Sequence, residues 1–140
     1  MEPIRSLDSV GEESFRLLAQ DCAASNGGVN DLILLSLAHI YGKNFNTAVE
    51  VVDEQRIVCF VGEKTQRSVV KVQGKSASDV YLVFPKHFCS CQAFFFKVVH
   101  ENEAICCKHQ LAARLALALG RCPIITISDV EIASMLAFGS

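Results

Sequence analysis

The chain has 140 residues, 51% of them hydrophobic and 20% charged, with a formal net charge of −2. That length suits one ordinary domain with its own core, and so apolar a composition argues against disorder. The near-neutral charge speaks against a dedicated nucleic-acid binder; no apolar run is long enough to cross a bilayer, and the N-terminus lacks a basic-then-apolar signal pattern.

In chain order, Ser9-Val-Gly-Glu12 has capping-box spacing and predicts a helix to about Ala24, with Phe15, Leu18 and Cys22 on one face. Asn26-Gly27-Gly28 ends it. Asn30 or Asp31 then caps a second helix that runs to Gly42 and is apolar on nearly every face. Such a helix is buried on all sides or pairs with another protein. Thr47-Ala-Val-Glu50 is another capping box, expected to start a short helix to about Glu54.

Beyond it the composition turns β-branched. Residues 56–61, 68–73 and 79–84 read as three strands joined by short turns. Residues 93–99 are apolar without clear period, leaving strand and helix open. Phe94, Phe95 and Phe96 there read as core residues. A helix carried by Leu111, Leu115 and Leu119 runs to Gly120, Pro123 breaks the chain, and Ser128-Asp-Val-Glu131 caps a last helix with Ile132, Met135 and Leu136 on one side.

The expected fold is therefore α+β: N-terminal helices, a small antiparallel sheet of about three strands, a metal-bound module and a C-terminal helix. One domain spans residues 1–140, with a helical part over 1–55, strands and metal module over 56–120, and the last helix over 121–140.

Charge is unevenly spread. Residues 1–63 hold four basic and ten acidic side chains, net −6, while residues 64–121 hold nine basic and three acidic, net +6. The basic stretch (Lys86, Lys97, Lys108, Arg114 and Arg121 among others) suits phosphate contact and a merely solvated surface equally well.

Seven cysteines without a signal pattern fit a reducing compartment and free thiols. Four candidate metal ligands stand out. Cys89 and Cys91 are two apart, and fifteen residues separate them from Cys107 and His109. Three thiolates and an imidazole are the number and type of ligands that tetrahedral structural zinc takes. Residues two apart share a face of an extended segment, so Cys89 and Cys91 can point at one ion. Two apart on a helix they diverge by about 200°. Cys107 therefore belongs just ahead of the helix, with His109 in its first turn. Cys106 could replace Cys107, and His87 and His100 flank the site; all three rank below the regular set. His39, Cys22, Cys59 and Cys122 read as core or rim residues.

Gly74-Lys75-Ser76 imitates the end of a phosphate-binding loop, but the pattern needs a glycine where Val69 stands, and the loop joins two strands. Four protein ligands fill the zinc tetrahedron and leave no open position for catalysis, and the deaminase signature is absent. No enzyme is expected.

The pattern Cys89-x-Cys91…Cys107-x-His109-x-x-Ala112 resembles the SWIM zinc module, in the form found in Shu-complex subunits. A weaker likeness to the small metazoan SWIM-domain member of that complex runs from Ala48-Val49-Glu50-Val51-Val52-Asp53 to Ser128-Asp129. The resemblance implies a nuclear, non-catalytic subunit that pairs with a RecA-fold recombinase paralogue. The pair would promote recombinase filament assembly on single-stranded DNA in homologous recombination, in DNA repair and meiosis. The alternative is a stand-alone zinc module that binds DNA directly through its basic central region.

Overall fold

The computed structural model of the chain describes residues 2–84, 88–91 and 107–139, with side chains over 10–84, 88–91 and 107–137. Residues 93–99, His87, His100 and Cys106 lie outside the described residues. Among those described, the elements are α1 (Glu2–Ala24), α2 (Asp31–Tyr41), α3 (Lys43–Asp53), β1 (Ile57–Gly62), β2 (Ser68–Gln73), β3 (Val80–Phe84), β4 (Phe88–Cys89), α4 (Lys108–Ala118), β5 (Ile124–Ile127) and α5 (Asp129–Gly139).

The class is α+β, and the three expected strands form an antiparallel meander. Two more strands flank it, giving the order β4-β3-β2-β1-β5. Because β5 runs parallel to β1, the sheet is mixed. The four residues of β5 are all β-branched, but so short a run needs the edge that β1 offers it.

Two helix starts differ from expectation. α1 begins upstream of Ser9, at Glu2, so the Ser9–Glu12 spacing falls inside a helix. Gly11 then sits mid-helix, where glycine costs about 1 kcal/mol against alanine. Its reason is contact: a Cβ there would lie 2.0 Å from the Tyr41 hydroxyl oxygen, so the bare backbone lets the end of α2 close on α1. α3 likewise begins at Lys43, because Gly42 turns the chain at φ 67° between α2 and α3. Thr47 is interior to α3, and its hydroxyl donates back to the Lys43 carbonyl at 3.4 Å. The other caps fall as expected. The Asn30 side chain accepts from the amides of Leu32 and Ile33, and the Ser128 hydroxyl accepts from the Glu131 amide.

Residues paired across strands share a face of the sheet. Cys59, Val70, Val83 and Cys89 form one row across β1 to β4, and Ile57, Val72 and Tyr81 form the next. All but half-buried Tyr81 are buried, and this face receives α4. α4 also packs on α1 and α3, so every side chain from His109 to Ala116 is buried. Ala112, Ala113 and Ala116 keep its neighbours close. α5 contacts β1, and Asp129 at its start accepts hydrogen bonds from the Lys64 and Thr65 amides of the β1–β2 turn.

Arg114 is the charge in this buried helix. Its guanidinium donates to Glu12 at 2.7 Å and lies 4.4 Å from the centre of the Phe15 ring, docking α4 on α1. Glu12→Gln leaves that cation without its counter-charge and is expected to cost about 1–2 kcal/mol, less than a fully buried pair because Glu12 is partly exposed. Glu13→Gln breaks only the exposed pair with Arg16 and should cost under about 0.5 kcal/mol. Urea unfolding of both variants checks this, and equal midpoints would contradict it.

Candidate metal centre

The metal-binding pattern is assembled from two chain segments held by different means. β4 pairs Cys89 with Val83, placing it in the inward row of the sheet. Ser90 fixes the next residue of the turn: its amide donates to the Leu82 carbonyl at 3.1 Å, and its hydroxyl accepts from the Leu82 amide at 3.0 Å. With Ser90 pinned on both sides, Cys89 and Cys91 turn to the same interior. The second segment opens α4. Cys107 is its N-cap, in extended conformation at φ −83° and ψ 169°, and His109 lies in the first turn. That break in helical geometry is what lets two residues so close in sequence aim at one point.

Cys89, Cys91, Cys107 and His109 are all buried, and their donor atoms lie within 4.8 Å of one another. Cys89 Sγ is 3.7 Å from His109 Nδ1. A tetrahedron with Zn–S near 2.3 Å and Zn–N near 2.0 Å puts such S···N pairs roughly 3.5 Å apart and S···S pairs roughly 3.8 Å apart. The donor set therefore fits the ion. Among the described residues this is the one group of three or more such donors. Tyr81, from the inward face of β3, stacks on the His109 ring with centres 4.1 Å apart, a neighbour that the sequence pattern did not single out.

Electrostatics show what the set lacks when bare. Hydrogen bonding with Cys107 and Cys91, joined by burial, pushes the Cys89 thiol far above its usual range. Cys107 is also raised, although its hydrogen bond with Cys89 acts the other way; Cys91 and burial outweigh it. The Cys89 and Cys107 thiols hold their protons until a cation displaces them. The remaining described cysteines serve the core: Cys22, Cys59 and Cys122 are buried, and burial lifts Cys122 to about 11.

A buried set of three cysteines and one histidine, shared between a strand-borne Cys-x-Cys and a helix N-terminus, is the arrangement of a SWIM-type zinc module. The chain is 33% identical to zinc finger SWIM domain-containing protein 7 of Homo sapiens, over 93% of this chain and 91% of that protein. It is 32% identical to the protein of the same name from Danio rerio, over 94% and 93%, and 31% identical to that of Mus musculus, over 94% and 85%. The chain belongs to the zinc finger SWIM domain-containing protein 7 family. No protein-family model and no solved structure matches it. The relatives and the buried donor set together point to zinc as the bound ion.

Purified without chelator, the chain should carry about one zinc, as a single four-donor set requires. Cys89→Ser and His109→Ala should lose it. Ala112→Thr, which overpacks a fully buried position without touching a donor, should keep the metal and lose about 1–3 kcal/mol. Metal analysis beside thermal melting separates the two effects, and a folded wild-type chain free of zinc would overturn the assignment.

Proposed function

We propose that the chain is a non-catalytic, zinc-binding interaction subunit, with Cys89, Cys91, Cys107 and His109 as the ligands. It pairs with a RecA-fold recombinase paralogue in the nucleus. The pair promotes recombinase filament assembly on single-stranded DNA during homologous recombination, in DNA repair and meiosis. The observation that carries the interaction role is α2. That helix is apolar on nearly every face, yet only Leu37 is buried, while Leu32 and Leu35 are 76% and 65% exposed. Two large apolar side chains three residues apart on one exposed helix face suit contact with another chain. Family membership and the closed ligand set support the non-catalytic reading, since a zinc with four protein ligands has no position left for water or substrate.

The second reading, direct DNA binding through the basic central region, has part of that charge already paired and part free. Arg114 is buried against Glu12, and Arg121 faces Asp53 at 3.8 Å. Lys64, Arg67, Lys75 and Lys108 are exposed and available.

The two readings separate by experiment. Leu32→Asp and Leu35→Asp should leave zinc content and melting temperature unchanged, because both positions are already exposed, and should abolish co-purification with a co-expressed RecA-fold partner. DNA titrated onto the isolated chain at two salt concentrations should show weak binding with a shallow slope. A steep slope would favour direct phosphate contact, since each neutralised phosphate contributes about one unit of log–log slope.

A further inference from the structure

α4 opens with a capping box whose first member is a cysteine. Capping boxes ordinarily pair serine or threonine at the N-cap with glutamate or glutamine at the third helical position. Here Cys107 takes the first place and Gln110 the second, and both halves of the exchange are formed. The Gln110 carboxamide oxygen accepts from the Cys107 amide at 3.0 Å. The Gln110 backbone N–H donates to the Cys107 sulfur.

Both residues are 2% exposed, so neither group has water as a substitute partner. An N-cap amide has no acceptor within its own helix, and leaving it unsatisfied when buried costs about 1–3 kcal/mol. The reciprocal pair thus fixes the backbone of Cys107 through one bond and its sulfur through the other. The other donors are fixed by different means: Cys89 by strand pairing and His109 by its place in α4 under Tyr81. The Cys107 carbonyl accepts from the Leu111 amide at 3.1 Å as part of the first turn, and its own amide is held by Gln110 at 3.0 Å.

We propose that Gln110 is a positioning residue of the zinc centre, holding Cys107 in the extended conformation from which its sulfur completes the ligand set. This rests on the reading of Cys107 as a ligand. Gln110→Leu fills the space without an acceptor. It should lower zinc affinity roughly ten- to a hundredfold, the usual cost of losing a group that orients a ligand. It should also change the thiolate-to-metal charge-transfer absorption of the cobalt(II)-substituted chain. Gln110→Glu retains the acceptor and should recover most of the affinity and the spectrum.

The measurements are chelator competition for zinc and the cobalt(II) spectrum, both on the full chain. If Gln110→Leu does not fold, Gln110→Asn replaces it, being polar but one methylene too short to reach the Cys107 amide. Wild-type affinity and spectrum in the acceptor-less variant would overturn the proposal, as would failure of Gln110→Glu to recover what is lost. Cys107→Ser in the same series keeps the two readings apart. If it retains zinc, the ligand assignment fails; if it loses zinc while Gln110→Leu does not, the positioning role alone fails.

Discussion

Three sulfurs and an imidazole buried within 4.8 Å of one another cannot carry charge together without a cation. Contact with Cys107 and Cys91 together with burial raises Cys89, and contact with Cys91 and burial raise Cys107 against the opposing bond with Cys89, so without metal these two thiols keep their protons. A divalent ion inverts this by taking the thiolates as ligands. Structural zinc in small modules contributes an apparent ~10–16 kcal/mol at neutral pH, as much as the ~5–15 kcal/mol by which a whole domain is stable. The sheet edge at β4 and the start of α4 are held to one another through that point, and the rest of the core is arranged on the helix that leaves it.

α4 joins the metal to the fold. Its N-cap and first turn carry half of the donor set, and the helix packs on the sheet and α3. Arg114 reaches α1, and the Leu119 carbonyl just past its end accepts from Cys22 at 3.6 Å. A helix buried over eight consecutive residues cannot shift to suit one neighbour without disturbing the others, because interiors are close-packed. Holding its first turn by metal therefore fixes the seating of α1, α3 and the sheet at once.

What the sequence made legible follows from how local each signal is. The four donors were readable because ligand chemistry restricts residue type and spacing together. The helical incompatibility of Cys107 and His109 placed the N-cap correctly. The β1–β3 meander was readable from β-branched runs. Capping spacing was less reliable: Ser128 does cap α5, but Ser9 and Thr47 lie inside helices that begin earlier. For α3 the start is set by Gly42, whose positive φ suits glycine. The Cys107–Gln110 box was present in the sequence all along, hidden because cysteine occupies the place of serine. β5 carries a β-branched run too, Ile124-Ile125-Thr126-Ile127, but at four residues it is short, and its pairing with β1 is made across more than sixty intervening residues.

The distance between metal and exposed apolar surface decides how the two can communicate. α2, which bears Leu32 and Leu35, packs chiefly on α1 and α3, and these in turn pack on α4. No donor lies on α2, so the ion acts on that surface only through intervening helices. Those contacts are packed side chains, a close approach at Gly11 and one part-buried ion pair. Coupling between distant sites needs an element with two states that both sites bias. In the proposed role, zinc would support the α2 surface structurally: it would keep α4 in place, and α4 packs on the α1 and α3 helices that present the leucines. If α2 is the proposed contact surface, loss of a ligand and loss of an exposed leucine would weaken association by different routes, the first by loosening the scaffold and the second by removing contact area from an intact one.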